Sequence, residues 1–443
     1  MHPSFRREEA SEDAPPLAWA PTGDAGKLRR NSLYAIAGQL SVAALQVLQF
    51  LLVARRLGPH EFGLVASVTA ITGALVPFSS LGLGNVAIMR IARGQGAPAR
   101  LLGNALAATS WTGALCILAA FGIASVALGL SGVGQLVLVF GMADILVGKC
   151  VDVAAHIFYG LERQGTAALF YNLQLVMRVV FAGGLYLLPA PDALEWAALY
   201  GCASLISLGI VAWLTLRAIG RPGLDWRESL QDAKVGAFFS MGISGRALTT
   251  NVDKVVLVRS VSSEICGAYT AAHRIIYIAV MPVSAVLLAL QARVFRAGHV
   301  AGFAGTIGIL GRLALLGSIY CAMLGALLFG AAPLVRTVLG DAYALSSEVL
   351  QALCLLPLLL VLQGVAADAL QGARGEKVVS TLYACSAGAA FILNTMLVPR
   401  YGWHGAVLAA YLLQGLLLAA TLGSMLTLHV GRRRRALLEG NAS

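Results

Sequence analysis

Charge is what this chain has least of: 12% of its 443 residues are Asp, Glu, Lys or Arg, against about 25% in soluble domains. That scarcity, with 58% hydrophobic residues and a mean hydropathy of +0.79, excludes a water-facing surface over most of the molecule. No GxxxxGK[ST] phosphate loop occurs, and no extramembrane stretch is long enough for a nucleotide-binding domain, so ATP is not the direct energy source of this chain. GxSxG and HExxH are missing as well, and the reading is of a protein that is not an enzyme. Cys116, Cys150, Cys202, Cys266, Cys321, Cys354 and Cys385 fall in apolar runs without CxxC spacing. They read as small buried packing residues, with neither a disulfide framework nor a metal site. The first 26 residues mix acids, arginines and prolines with no apolar core, which predicts a disordered tail and no cleavable signal peptide.

What the chain has instead is a succession of apolar windows, each of a length that crosses about 30 Å of hydrocarbon as a helix. About twelve are read: Asn31–Val53, Phe62–Leu81, Leu102–Leu128, Gly134–Phe158, Thr166–Leu188, Glu195–Leu216, Val235–Val258, Gly267–Leu290, Ile307–Phe329, Val349–Leu370, Val378–Val398 and Gly405–His429. The fold class is therefore all-α, a polytopic membrane protein. An even count puts both ends on one side. Lys27, Arg29 and Arg30 before the first span and Arg432–Arg435 after the last predict that this side is cytoplasmic, although Arg55 and Arg56 run against the bias. Much of the net charge of +11 is then topological, and nucleic-acid binding does not follow from it.

The longest internal connection divides the spans into two sets of six. The expected units are a tail over 1–26, a first lobe over 27–218, a cytoplasmic linker over 219–234, a second lobe over 235–430 and a basic tail over 431–443. A short echo relates the halves: Arg56, Glu61 and Gly63 follow span one, as Arg259, Glu264 and Gly267 follow span seven. Two lobes related by a repeat, with a polar site between them, is a common transporter plan.

Charged residues inside spans are costly unless they face protein or water, and here they fall into stripes at helical spacing. Span four places Lys149, Asp152 and His156 on one face. Span five offers Tyr171, Gln174 and Arg178; span seven Gly242, Arg246, Thr249 and Asp253; span eight Tyr269, His273 and Tyr277 beside Arg274; span one Ser32, Gln39, Gln46 and Gln49. Lys149, Arg178, Arg246 and Arg274, with Gln174 and Thr249, are the candidate contacts to an anionic headgroup or glycan, since guanidinium groups suit bidentate contact with phosphate or carboxylate. Asp152, Asp253, His156 and His273 are the candidates for ion coupling. Each stripe has a structural alternative: ion pairs that only hold helices together, glutamines bonded across helices, and Arg293, Arg296 and Arg312 snorkelling at span ends. Asp144, Lys254 and Asp368 also lie within spans, without an assigned role.

Several stretches carry a family resemblance. They are Val53-Ala-Arg-Arg-Leu-Gly-Pro-His-Glu-Phe-Gly63 and Leu81-Gly-Leu-Gly-Asn-Val-Ala-Ile-Met-Arg90, then Asn251-Val-Asp-Lys254 and Gly267-Ala-Tyr-Thr-Ala-Ala-His-Arg274, and finally Leu370-Gln-Gly-Ala-Arg-Gly375 with Val398-Pro-Arg-Tyr-Gly-Trp-His-Gly-Ala406. In order and placement at span ends, the sequence resembles the polysaccharide transporter, or oligosaccharide flippase, family of the multidrug/oligosaccharidyl-lipid/polysaccharide exporter superfamily. The resemblance implies a two-lobed fold working by alternating access. It also implies an isoprenoid-pyrophosphate-linked oligosaccharide as substrate, moved across a bacterial inner membrane for O-antigen or exopolysaccharide synthesis. Membrane lipids, a glycan polymerase and glycosyltransferases of the same pathway are the implied partners. No cofactor is expected beyond H+ or Na+ as coupling ion. The alternatives are a cation-coupled multidrug or small-solute exporter of the same superfamily and a membrane-embedded glycan polymerase or ligase. The last would carry a large outer loop, which is not read here.

Overall fold

The structure, a computed structural model, describes residues 25–129, 133–373 and 375–440. The tail expected over 1–26 lies outside these but for its last two residues, as do the side chains of Ser32, Gln39, Arg293 and Arg296. Among the described residues there are helices and no strand. That is the only open-ended way to satisfy every backbone N–H and C=O in hydrocarbon.

The half of the chain up to α7, called the first lobe for its place in the sequence as the rest is called the second, begins with α1 (Ala25–Leu75), a single helical run bent at Gly58, where φ is +73° and Pro59 starts the second leg. A 3₁₀ turn at Val76–Phe78 and a break over Ser79–Gly82 separate it from α2 (Leu83–Ala92). Next come α3 (Pro98–Leu128), opened by a proline, and a composite fourth span: α4 (Val133–Gly141), a π-helical stretch Met142–Gly148 and α5 (Lys149–Gly160). α6 (Gln164–Gly184) ends in a 3₁₀ turn, and α7 (Ala193–Ile219) starts from a capping box of Asp192 and Glu195.

Asp225 caps α8 (Trp226–Thr249), so helix begins inside the stretch expected as linker over 219–234. Span seven continues as α9 (Val252–Ser260), and α10 (Ser263–Ala331) then carries spans eight and nine. A loop was expected between Leu290 and Ile307, but helix runs through it. Arg293 to Gly305 contains glycines and no proline, and glycine alone weakens a helix without ending it. α11 (Leu334–Leu339), α12 (Ala344–Ala352), α13 (Leu356–Gly372), α14 (Glu376–Tyr401) and α15 (Trp403–Gly440) complete the lobe.

Seven helices among the described residues are long and apolar enough to cross a membrane, or eight if α12 and α13, bent by 55°, form one span. Reading the two legs of α1, the composite fourth span, the α8–α9 pair and the first part of α10 as further crossings fits the twelve-span plan. Those segments fall short of the criterion, or merge, because they carry the breaks and the charges.

Two close approaches join the lobes. A Cβ on Gly63 would strike the backbone of Ser263 and Gly267, and one on Gly267 would strike the carbonyl of Pro59. The echoed segments thus pack on each other at one end of the bundle. Their arginines serve there too: Arg56 donates to the carbonyls of Leu185, Leu188 and Pro189 beyond α6, and Arg259 donates to Val126 O near the end of α3. Cations on exhausted helix carbonyls are favourable, which gives Arg56 a structural role independent of membrane orientation. Deeper in the bundle Gly82 meets Gly236 of α8 backbone to backbone. At the far end Glu228 pairs with Arg90 (2.8 Å) and Arg100 (3.2 Å), Asp232 pairs with Arg90 (2.7 Å), and Asn104 bonds both Glu228 and the Asp225 amide. The second lobe's first helix is clasped to the first lobe there.

Candidate functional site

An open cavity of about 420 Å³ lies between the first lobe and α8, lined by the span-two break, by Asp144, Lys149, Asp152 and His156 of the fourth span, by Tyr171, Gln174 and Arg178 of α6, and by Ser240 and Ile243 of α8. Spacing on α5 brings Lys149 Nζ to 2.7 Å from Asp152 Oδ2 and His156 Nδ1 to 3.4 Å from its other oxygen. Tyr171 donates to Asp152 at 2.5 Å. A second pair forms between helices: Arg178 lies 3.0 Å from Asp144, whose same oxygen accepts from Tyr200 at 2.6 Å, and the guanidinium stacks 4.1 Å above the Tyr200 ring. The π-helical stretch is what turns Asp144 toward α6 and α7, because its wider turn breaks the 3.6-residue register between α4 and α5. Lys149 and Arg178 thus face two neutralising carboxylates, and their spare polar capacity is in N–H donors. Gln174 Nε2 and Arg178 Nε are buried without a hydrogen-bond partner.

A smaller cavity lies in the second lobe among Thr249, Thr250, Asp253, His273, Tyr277, Asn394 and Gln414. Asp253 accepts from Tyr269 OH (2.9 Å) and from the Lys254 amide (2.8 Å). Lys254 Nζ stands 3.5 Å from the same carboxylate and donates to Thr250 O (2.8 Å) and Asn251 Oδ1 (3.0 Å). A buried ammonium therefore already accompanies Asp253. His273 stacks between Tyr269 and Tyr277. Asn394, 4% exposed, has an unpartnered Oδ1.

The span-seven stripe does not line one water-filled face. It is cut at Thr250–Asn251, and its upper part packs on α14: Gly242 lies against Ser380, Gly245 against the backbone of Tyr383, and Thr249 Oγ1 is 2.7 Å from Ser386 Oγ. Arg246 is exposed, 5.8 Å from the Tyr383 ring. Arg274 is also exposed, within electrostatic reach of Tyr200 in the opposite lobe, and no hydrogen bond or ion pair engages it among the described residues. Arg178, Arg246 and Arg274 are thus not gathered round either cavity. Arg178 lies in the first, Arg274 is outside both, within electrostatic reach of Tyr200, and Arg246 is beside α14. Reading the sequence assigned no role to Asp144 or Lys254 and passed over Tyr200 and Asn394. The signal available was the cost of an acid inside a span. Among the described residues no cluster of three or more His, Cys, Asp or Glu side chains is suited to a metal ion.

Residues 28–293 match the family described as Polysaccharide biosynthesis protein. The chain belongs to that family. Among solved structures it is similar to an inward-facing multidrug resistance MATE family transporter of the MOP superfamily, with TM-score 0.71, 16% identity, and 92% of this chain and 100% of the other covered. An outward-facing MATE transporter gives 0.60 at 16% identity over 92% and 97%. The lipid II flippase MurJ, in an inward closed conformation, gives 0.69 at 13% identity over 89% and 87%. These likenesses show that this family member shares the fold of those structures. Curated protein sequences gave no match.

Proposed function

We propose that this membrane protein is a flippase that moves an isoprenoid-pyrophosphate-linked oligosaccharide across a bacterial inner membrane, for polysaccharide synthesis, by rocking of its two lobes. The observation that carries the reading is Arg274. It lies 11 residues beyond Ser263, so about 16 Å down a helix at 1.5 Å per residue. It is exposed there, has no counter-ion among the described residues and lies within electrostatic reach of Tyr200 of α7. A bare guanidinium at that depth is tolerable in a hydrated cleft and suited to an anionic headgroup. It suits a cationic drug poorly, which separates this reading from a multidrug exporter. Arg178, Lys149 and Gln174 approach the cleft from the first lobe, and Arg246 and Thr249 stand in the second. Both termini are cytoplasmic in this reading, so the Gly63–Gly267 contact closes the outer face.

Glycan display in a strain lacking the gene, complemented at normal expression, is the test. Arg178→Ala, Arg246→Ala and Arg274→Ala are each expected to lower export about tenfold or more, the cost of one charge-assisted contact. Unchanged export in all three rules out an anion-binding cleft.

The second cavity is the proposed coupling site, taking H+ or Na+ at Asp253, with Asn394 Oδ1 and His273 at its margin. Asp152 and His156 are the corresponding candidates in the first lobe. Asp253→Asn keeps an acceptor for Tyr269 but removes the counter-charge of Lys254, so melting temperature should fall; the double variant Asp253→Asn/Lys254→Met strands no charge, should keep the fold, and should lose ion-driven transport in vesicles. Full transport by that variant would remove Asp253 from coupling.

A further inference from the structure

The break in span two gives the first cavity a helix N-terminus. Leu81 and Gly82 take φ of +46° and +67°, and α2 then starts afresh from Gly82 with no side-chain cap. Gly82 and Asn85 line the cavity, and among the described residues no backbone carbonyl accepts from the Gly82 amide. Left-handed backbone at a leucine is strained, and here the backbone contact between Leu81–Gly82 and Gly236 holds it in place. Irregular backbone at membrane depth persists where it lines a polar cavity, and the start of a half-helix is a ready seat for a negative charge.

A second observation points to the same ligand. Gln174, 9% exposed, lines this cavity, and its Nε2 is buried without a partner, as is Arg178 Nε. The two carboxylates in the wall are already engaged, Asp144 by Arg178 and Tyr200 and Asp152 by Lys149 and Tyr171. Among the described residues the groups still seeking a partner here include the Gly82 amide N–H, the Gln174 NH2 and one guanidinium N–H, so the missing partner is an acceptor.

We infer that the broken end of span two, with Gln174 and Arg178, is a phosphate-binding seat whose donors come from the first lobe and whose backbone is braced by α8. It rests on the flippase reading in assigning the diphosphate of the lipid carrier to this seat, not to the second-lobe arginines. The Gly82 amide meets a phosphoryl oxygen, Gln174 and Arg178 bond from the side, and Arg274 is left for whatever protrudes into the cleft.

The test is calorimetric titration of the full-length protein in detergent with inorganic pyrophosphate and, separately, geranyl diphosphate. Binding of both, with about equal affinity for the head, marks a phosphate seat, whereas binding of geranyl diphosphate alone marks an apolar site and overturns the inference. Gln174→Leu is expected to weaken both probes about tenfold, and Gln174→Glu to abolish binding, with melting temperatures near wild type. A structural role alone would lower the melting temperature and leave affinity unchanged, and that result overturns the seat. So does a loss of affinity in Arg274→Met with none in Gln174→Leu, which leaves the flippase reading standing. If wild type binds neither probe the seat also falls, and glycan export in cells then judges the flippase reading separately.

Discussion

Gly267→Leu should abolish export. A Cβ at this position already meets the Pro59 carbonyl, and one at Gly63 meets Ser263 and Gly267, so neither helix can give way by turning a side chain. Overpacking of this kind costs about 1–3 kcal/mol where side chains can adjust, and here backbone would have to move. Even about 3 kcal/mol against the state in which this end is closed shifts a two-state equilibrium by roughly 150-fold. A transporter that must pass through that state at every cycle would be held out of it. Gly63→Leu should behave in the same way, because the contact is shared. Amide exchange gives a readout independent of export: protection across Gly58–Phe62 and Ser262–Gly267 should fall, while protection in α13 and α14 is retained. Wild-type export by both variants would show that the contact is not part of the cycle.

That contact also shows what a sequence can and cannot disclose. Arg56, Glu61 and Gly63 echo Arg259, Glu264 and Gly267 at one spacing that differs only by an insertion, and the echo was readable. Its cause was not, because it lies in which surfaces meet. The glycines permit the crossing of α1 with α10, the arginines cap carbonyls of other first-lobe helices, and Glu61 accepts from the Ala193 amide at the start of α7. The all-helical, many-span plan was legible because hydropathy is a local property. Lys149 with Asp152 was legible because three residues make most of a helical turn.

The pair Asp144–Arg178 was not legible, since its partners are 34 residues apart and a π-helical stretch lies between α4 and α5. Counting by 3.6 fails across such a stretch, and it failed again in span seven, where the break at Thr250–Asn251 sends Thr249 toward Ser386 and leaves Asp253 to Tyr269. The span-two break has no proline at its centre. Its one sequence sign is Leu81-Gly-Leu-Gly84, and only the packing on Gly236 makes that a turn. In each case the departures from regular helix coincide with the polar cavities, as backbone hydrogen bonding in a membrane requires.

The Lys149–Asp152 pair separates structure from mechanism most sharply. Asp152→Leu leaves Lys149 without its 2.7 Å partner and takes the acceptor from Tyr171. Breaking a buried pair on one side costs about 3–5 kcal/mol, enough for most of the protein to be lost from the membrane. Lys149→Met alone strands Asp152 with Tyr171 and His156, and should be nearly as damaging. The double variant Lys149→Met/Asp152→Leu leaves no unpaired charge, and replacing a buried pair by apolar residues of similar volume is often neutral or stabilising. It should therefore return to near wild-type expression and melting temperature. Export is where the two roles part. If the pair serves the substrate or the coupling ion, the double variant folds and does not transport; if it only ties α5 to itself and to α6, transport returns with the fold. The proposed site requires the first outcome, because the first cavity would lose both a cation facing the headgroup and the acid that Tyr171 and His156 contact.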